Sequence, residues 1–204
     1  MSGAATFAHA PPAAFRGSRG YVHSTDLYEE ILSSAAAVGL SFDGPIDLRI
    51  KKRMTRVPRY VLSPAGGEVA GELAAQCSFT SAGAIWTCNV TETEQDVTAR
   101  KAYDESAAST FGRFEARKVA ISEETGLRPI EAVTALAVLL LNRELPPAAG
   151  QRWMLAQLAL GRPLGASDTR QLTVGIDRQV GATMVRCAIT GEDGPFGSMM
   201  FILA

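Results

Sequence analysis

The sequence is poor in the residues that usually announce chemistry. Histidine occurs twice, at His9 and His23, and cysteine three times, at Cys77, Cys88 and Cys187. An odd number of cysteines, no Cys-x-x-Cys spacing and no histidine cluster argue against a zinc site, so no metal is expected. Cys77 and Cys88 could face each other across a hairpin, but without a secretion signal reduced thiols in a cytoplasmic protein are the simpler reading. There is no Gly-rich phosphate loop of Walker or dinucleotide spacing, and no cofactor is expected. The lack of a Gly-x-Ser-x-Gly elbow argues against an α/β-hydrolase. A net charge of −1 and a pI near 6.1 give no global pull toward nucleic acid or an anionic membrane. No apolar run reaches the roughly 20 residues that a helix needs to cross a bilayer.

The 204 residues, 47% of them hydrophobic, are enough for a full core in one domain or two fused halves. Residues 1–19 are Ala/Pro/Gly-rich, carry Pro11-Pro12 and lack a continuous apolar stretch, which predicts a disordered leader rather than a signal peptide. A first half follows over 20–96, opening on the short extended stretch Tyr21-Val22-His23. Asp26-Leu27-Tyr28-Glu29 reads as a helix start with Asp26 as the cap, and Leu27, Ile31, Leu32, Ala35 and Val38 share one face up to Gly39. Strands are predicted over 46–54, 57–62, 71–80 and 84–91, with Ser81-Ala82-Gly83 as a turn. Residues 97–112 read as a connecting segment. The second half, 113–204, repeats the order: a strand over 114–122, a helix begun by Pro129, then strands over 152–160, 172–177, 183–189 and 198–203. The repeat is one of pattern, because the letters of the two halves do not match.

The most telling stretch is Ile130-Glu131-Ala132-Val133-Thr134-Ala135-Leu136-Ala137-Val138-Leu139-Leu140-Leu141, apolar on every side but for one carboxylate and one hydroxyl. A helix of that kind is wrapped by protein rather than laid on a surface. Glu131 in its first turn either complements the helix dipole or serves a pocket.

Strand, helix and four strands, given twice, resembles the tandem or double hot-dog fold. Arg128-Pro129-Ile130-Glu131-Ala132-Val133-Thr134-Ala135-Leu136 is similar to the Glu-bearing helix of hot-dog hydroxyacyl dehydratases. The A-factor-type butyrolactone synthases, also built of two such halves, are a second point of comparison. The resemblance spans roughly 21–203 and implies an α+β protein with two curved antiparallel sheets, each wrapping a central helix. It further implies a pocket at the junction of the halves for an acyl thioester on coenzyme A or an acyl carrier protein. Reactive groups would come from opposite halves, which singles out His23 and Glu131 as the catalytic pair. An imidazole can take a proton beside a thioester carbonyl, and a carboxyl can return one or hold a water. His23 also has a plainer reading, as a strand-end residue bonded to nearby backbone.

The only dense basic run is Arg49-Ile50-Lys51-Lys52-Arg53-Met54-Thr55-Arg56-Val57-Pro58-Arg59. Its plainer reading is an edge strand with Arg49 and Lys51 turned outward against aberrant pairing. Its sharper reading is a landing surface for an acidic carrier or for coenzyme A phosphates through Arg49, Lys51, Arg53 and Arg56. The expected function is therefore an enzyme on acyl thioesters, of dehydratase, thioesterase or condensing type. The chain lacks the His-Phe-Pro-Gly-like loop of the dehydratases, which keeps open a non-catalytic protein that binds a carrier or an apolar small molecule. No nucleic acid or membrane partner is expected, and a homodimer is left open.

Overall fold

The computed structural model describes residues 6–67, 70–103, 109–121, 126–165, 167–168 and 172–204. The chain divides into two compact units, Met1–Tyr103 and Asp104–Ala204.

The first unit runs β1 (Phe7–His9), β2 (Ala14–Arg16), α1 (Ser24–Ala37), β3 (Ile46–Ile50), β4 (Arg56–Pro64), β5 (Ala75–Ser81), β6 (Ala84–Asp96) and β7 (Ala99–Lys101). Its sheet has the order β1-β4-β6-β5-β3 with antiparallel neighbours, and β2 pairs with β7 in parallel. Strand β5 shows the period of two that a one-sided core demands: Ala75, Cys77, Phe79 and Ser81 are buried, and Gln76, Ser78 and Thr80 between them are not. Ala82 and Gly83, both at positive φ, close the β5–β6 hairpin, the backbone that matches the right-handed twist of two strands. Asp43 accepts the Ala82 N–H at 2.7 Å and so braces an alanine in a conformation that favours glycine.

Two expectations for this unit need correction. Residues 7–9 and 14–16 of the stretch read as a disordered leader are paired strands; Phe7 to His9 lie opposite Leu62 to Tyr60. Edge pairing supplies the order that so few large apolar residues could not supply alone. The α1 cap is His23, not Asp26. His23 has the extended backbone of a cap, and its side chain accepts from the Thr25 N–H. Asp26, already inside the first turn, binds the Arg16 guanidinium instead, with Nε to Oδ2 at 2.6 Å and a second contact from Nη2 to Oδ1. The other end matches the sequence. Gly39 sits at φ +76° and donates to Ala36, while Leu40 donates to Ala35, the paired bonds of a left-handed helix stop.

The second unit runs β8 (Gly112–Glu115), β9 (Lys118–Ile121), α2 (Pro129–Glu144), β10 (Trp153–Leu160), β11 (Thr173–Val180), β12 (Met184–Gly191) and β13 (Gly194–Leu203). Its antiparallel strands take the order β10-β13-β12-β11-β9-β8. The single strand expected over 114–122 is the β8–β9 hairpin, which turns at Ala116 (φ 46°); Ser122 lies outside the described residues. Nothing in Glu115-Ala116-Arg117-Lys118 carries the usual glycine or asparagine of such a turn.

Helix α2 buries Ile130 to Ala137 without interruption, then Leu140 and Leu141. Eight consecutive buried residues exceed two turns, so protein covers the helix on all sides there. Strand β8 reaches it through Gly112, where an added methyl would stand 2.5 Å from Leu136 Cδ2. Each unit thus has one helix and an antiparallel sheet. The repeat is inexact in its pairing. Counting strands after the helix, the first unit orders them second, fourth, third, first, and the second unit orders them second, third, fourth, first. Tight turns after β11 and β12 let consecutive strands pair, whereas residues 65–74 separate β4 from β5 in the first unit.

Candidate functional site

His23 is 6% exposed, and neighbours from two directions hold its ring. Nδ1 lies 2.7 Å from Thr25 Oγ1 and accepts the Thr25 N–H at 3.5 Å. One face of the ring meets Tyr103 at a centroid distance of 5.2 Å and an interplanar angle of 52°. Tyr103 in turn has the guanidinium groups of Arg16 and Arg19 over its ring, at 5.0 and 4.9 Å. The β2–β7 pairing brings these groups together: the Gly17 N–H donates to Lys101, and Arg100 Nη1 donates to the carbonyls of Gly17 and Arg19. Because Arg16 also grips Asp26 on α1, the small parallel pair is fastened to the helix turn that His23 caps.

The other histidine, which no local motif singles out, lies on β1. His9 Nε2 is 3.0 Å from Ser34 Oγ and 3.2 Å from Glu30 Oε1, and its ring stacks on Tyr60 at 5.6 Å. Ser34 Oγ donates to the Glu30 carbonyl at 2.5 Å, so its lone pairs face the imidazole. A Ser–His–acid relay uses both ring nitrogens, one for each partner. Here a single nitrogen serves serine and glutamate alike, and the cluster acts as a clasp between β1 and α1. Burial first, then the charge of Glu30, pushes the Tyr60 phenol well above its ordinary range.

In the second unit Glu131 is 8% exposed and is the third residue of α2. Its Oε2 accepts the Arg128 N–H at 3.2 Å and its Oε1 accepts Arg128 Nη2 at 2.6 Å. Both bonds run from Arg128 to the carboxylate, the acidic half of a capping box, at the start of a helix whose first residue, Pro129, has no N–H to offer. One turn on, the buried Thr134 hydroxyl has no hydrogen-bond partner among the described residues.

The basic run is not one strand. Strand β3 ends at Ile50, and 51–55 form a connection anchored by buried Met54. Arg49 pairs with Asp47 at 2.7 Å, and Lys52 bridges Glu72 and Glu92 at 2.7 and 3.1 Å. Arg53 lies over the Tyr21 ring at 5.7 Å, while Lys51 and Arg56 are exposed. Glu92 accepts the N–H groups of Thr55 and Arg56, at 2.7 and 3.0 Å. Burial alone would raise its pKa, but these donors and Lys52 outweigh it and hold the carboxyl below its usual range. Arg49 and Lys52 are therefore committed to acids within the unit.

Cys77 stands directly opposite Cys88 across β5–β6, and all three thiols are free and buried. Burial pushes Cys77 far above the usual thiol range and raises Cys88 and Cys187 to about 12. Groups that stay thiols near neutral pH are poor nucleophiles. Among the described residues no helix is long and apolar enough to cross a membrane.

No protein-family model and no curated protein sequence matches the chain. Among solved structures, it is similar to a pyran synthase domain from module nine of the sorangicin pathway, at 13% identity and a TM-score of 0.49, with 100% of this chain and 95% of that chain covered. It is also similar to the dehydratase domain from the CurF module of curacin polyketide synthase, at 12% identity and a TM-score of 0.46, covering 100% and 94%. A third similar structure is an acyl-ACP thioesterase from Bacteroides thetaiotaomicron, at 6% identity and a TM-score of 0.44, covering 98% of both chains.

Proposed function

We propose that the chain is an enzyme acting on an acyl thioester, carried by coenzyme A or an acyl carrier protein, with dehydratase, thioesterase or condensing chemistry. The units serve as the halves of a double hot-dog in a cytoplasmic protein that requires no cofactor. One observation supports this above the rest. Each hot-dog-like unit carries a buried side chain able to handle protons at the start of its helix, His23 on α1 and Glu131 on α2. Amides of a helix's first turn favour negative charge, such as that developing on a thioester carbonyl. Lys51 and Arg56, both exposed, provide contacts for phosphate or for an acidic carrier, with Arg49 and Arg53 on the same run.

A second reading keeps the fold and drops the chemistry, leaving a binding protein for a carrier or an apolar ligand. The observation in its favour is that Arg128 engages both oxygens of Glu131. Incubation with a panel of acyl thioesters, following thiol release and loss of water, separates the two. Turnover that falls in both His23→Ala and Glu131→Ala supports the enzyme. Inertness with a ligand-raised melting temperature supports the binder, and inertness without any shift removes both.

A further inference from the structure

We infer that the outer face of strands β10 to β13 takes a second copy of this chain, stacked face to face and reversed in strand direction. Such pairing stands whether or not the chain acts on acyl thioesters.

Along β12, Val185, Cys187 and Ile189 are buried in the core, so Met184, Arg186, Ala188 and Thr190 face outward. The solvated face of an antiparallel sheet is ordinarily polar. Here Val180, Met184 and Ile202 stand in one row across three strands, with Val180 opposite Met184 and Met184 opposite Ile202. They are 45%, 37% and 37% exposed, and among the described residues only Ile85 joins them as a large exposed apolar side chain. An apolar row of this kind is what a second sheet covers. Two rows along, Ala159, Ser198, Ala188 and Gly175 are in register across all four strands. Their small side chains let another sheet come close.

Charge selects the occupant. Arg178 lies directly opposite Arg186, a like-charge pairing that weakens a hairpin. Arg186 has Asp177 at 3.7 Å, whereas Arg178 has no ion pair among the described residues. At the far end of β12 the turn residues Glu192 and Asp193 are exposed, and Glu192 likewise has no ion pair there. The face is positive at one end and negative at the other, the two ends about 20 Å apart along the strand. A copy reversed about an axis between Ala188 and Thr190 lays its Glu192 and Asp193 against Arg178 and Arg186. By symmetry the contact is made twice, with small residues over small residues between. A copy with the same strand direction would instead gather four arginines at one end. In projection the four strands cover about 500 Å², less than the ~800 Å² per partner of standard complexes, so the dimer is weak and concentration-dependent.

The test is sedimentation equilibrium on the full-length chain. The mass should rise from the 21.6 kDa of one chain toward twice that value as concentration increases. Arg178→Glu/Arg186→Glu and Glu192→Lys/Asp193→Lys should each weaken self-association about tenfold or more. An equal mixture of these two variants should regain it, because each contact then joins opposite charges. Met184→Lys should abolish the dimer without disturbing the charged ends. A wild-type mass of one chain at every concentration overturns the inference, even if an acidic protein binds the face. A dimer untouched by Met184→Lys overturns it too, as do two charge variants whose mixture stays monomeric. All the altered positions are exposed, and if a charge variant nevertheless fails to fold, Met184→Lys decides alone.

Discussion

The approach of β8 to α2 can be tested by filling and emptying one small space. Gly112→Ala adds a methyl 2.5 Å from Leu136 Cδ2 and 3.2 Å from both Phe114 Cε2 and Val119 Cγ2. The glycine is not at positive φ, so the cost comes from crowding and not from the backbone. Overpacking of this kind costs about 1–3 kcal/mol. Leu136 is fully buried, and Leu136→Ala should cost about 2–5 kcal/mol by loss of contacts and the cavity left behind. In the double variant the new methyl occupies space that the leucine vacated. The combined loss should therefore fall short of the sum by about 1 kcal/mol or more, beyond the ~0.5 kcal/mol scatter of independent sites. Urea unfolding of the four proteins measures it, provided the transition has one step. Additive losses would refute the packing of β8 on α2.

Other outcomes follow from single positions. Ala116→Gly relieves an alanine at φ 46° and should raise the melting temperature by about 1–3 °C, once glycine's own entropy is deducted; a fall would mean that the β8–β9 turn is misdrawn. Asp168 is held below the usual carboxylate range, first by the Arg162 guanidinium, then by the Gly165 N–H against the opposing effect of burial. Its contribution is thus present above the unfolded pKa and lost as pH falls through the folded one. The melting-temperature gap between wild type and Asp168→Asn should be open at pH 7 and close below about pH 4; a gap unchanged by acid would contradict the pairing. A water-soluble thiol reagent should find the cysteines unreactive in the native protein and all three reactive on denaturation, whereas a single reactive thiol would indicate a Cys77–Cys88 bond.

Periodicity made part of the fold legible. Ile130 to Leu141 read as a wrapped helix because apolar residues on every side admit no exposed face, and Ser81-Ala82-Gly83 marked the turn between β5 and β6. Other parts depend on contacts distant in sequence. His9 is ordered by Glu30 and Ser34, more than twenty residues away, and nothing in the leader's composition signals that pairing. Histidine is an uncommon helix cap, so the familiar aspartate three residues later drew the boundary too late. The exchanged inner strands of the first unit follow from a ten-residue connection whose path no local pattern sets. Of the candidate residues, His23 and Glu131 both proved buried. The basic run lost much of its free charge to Asp47, Glu72 and Glu92, two of which lie far along the chain.

The most direct measurement is kcat/KM on the best acyl thioester for wild type, His23→Ala, Glu131→Ala and the double variant. If both groups serve one chemical step, each single change should cost about a hundredfold or more, and the double variant should be little worse than the poorer single. Single variants that turn over at the wild-type rate would contradict the account.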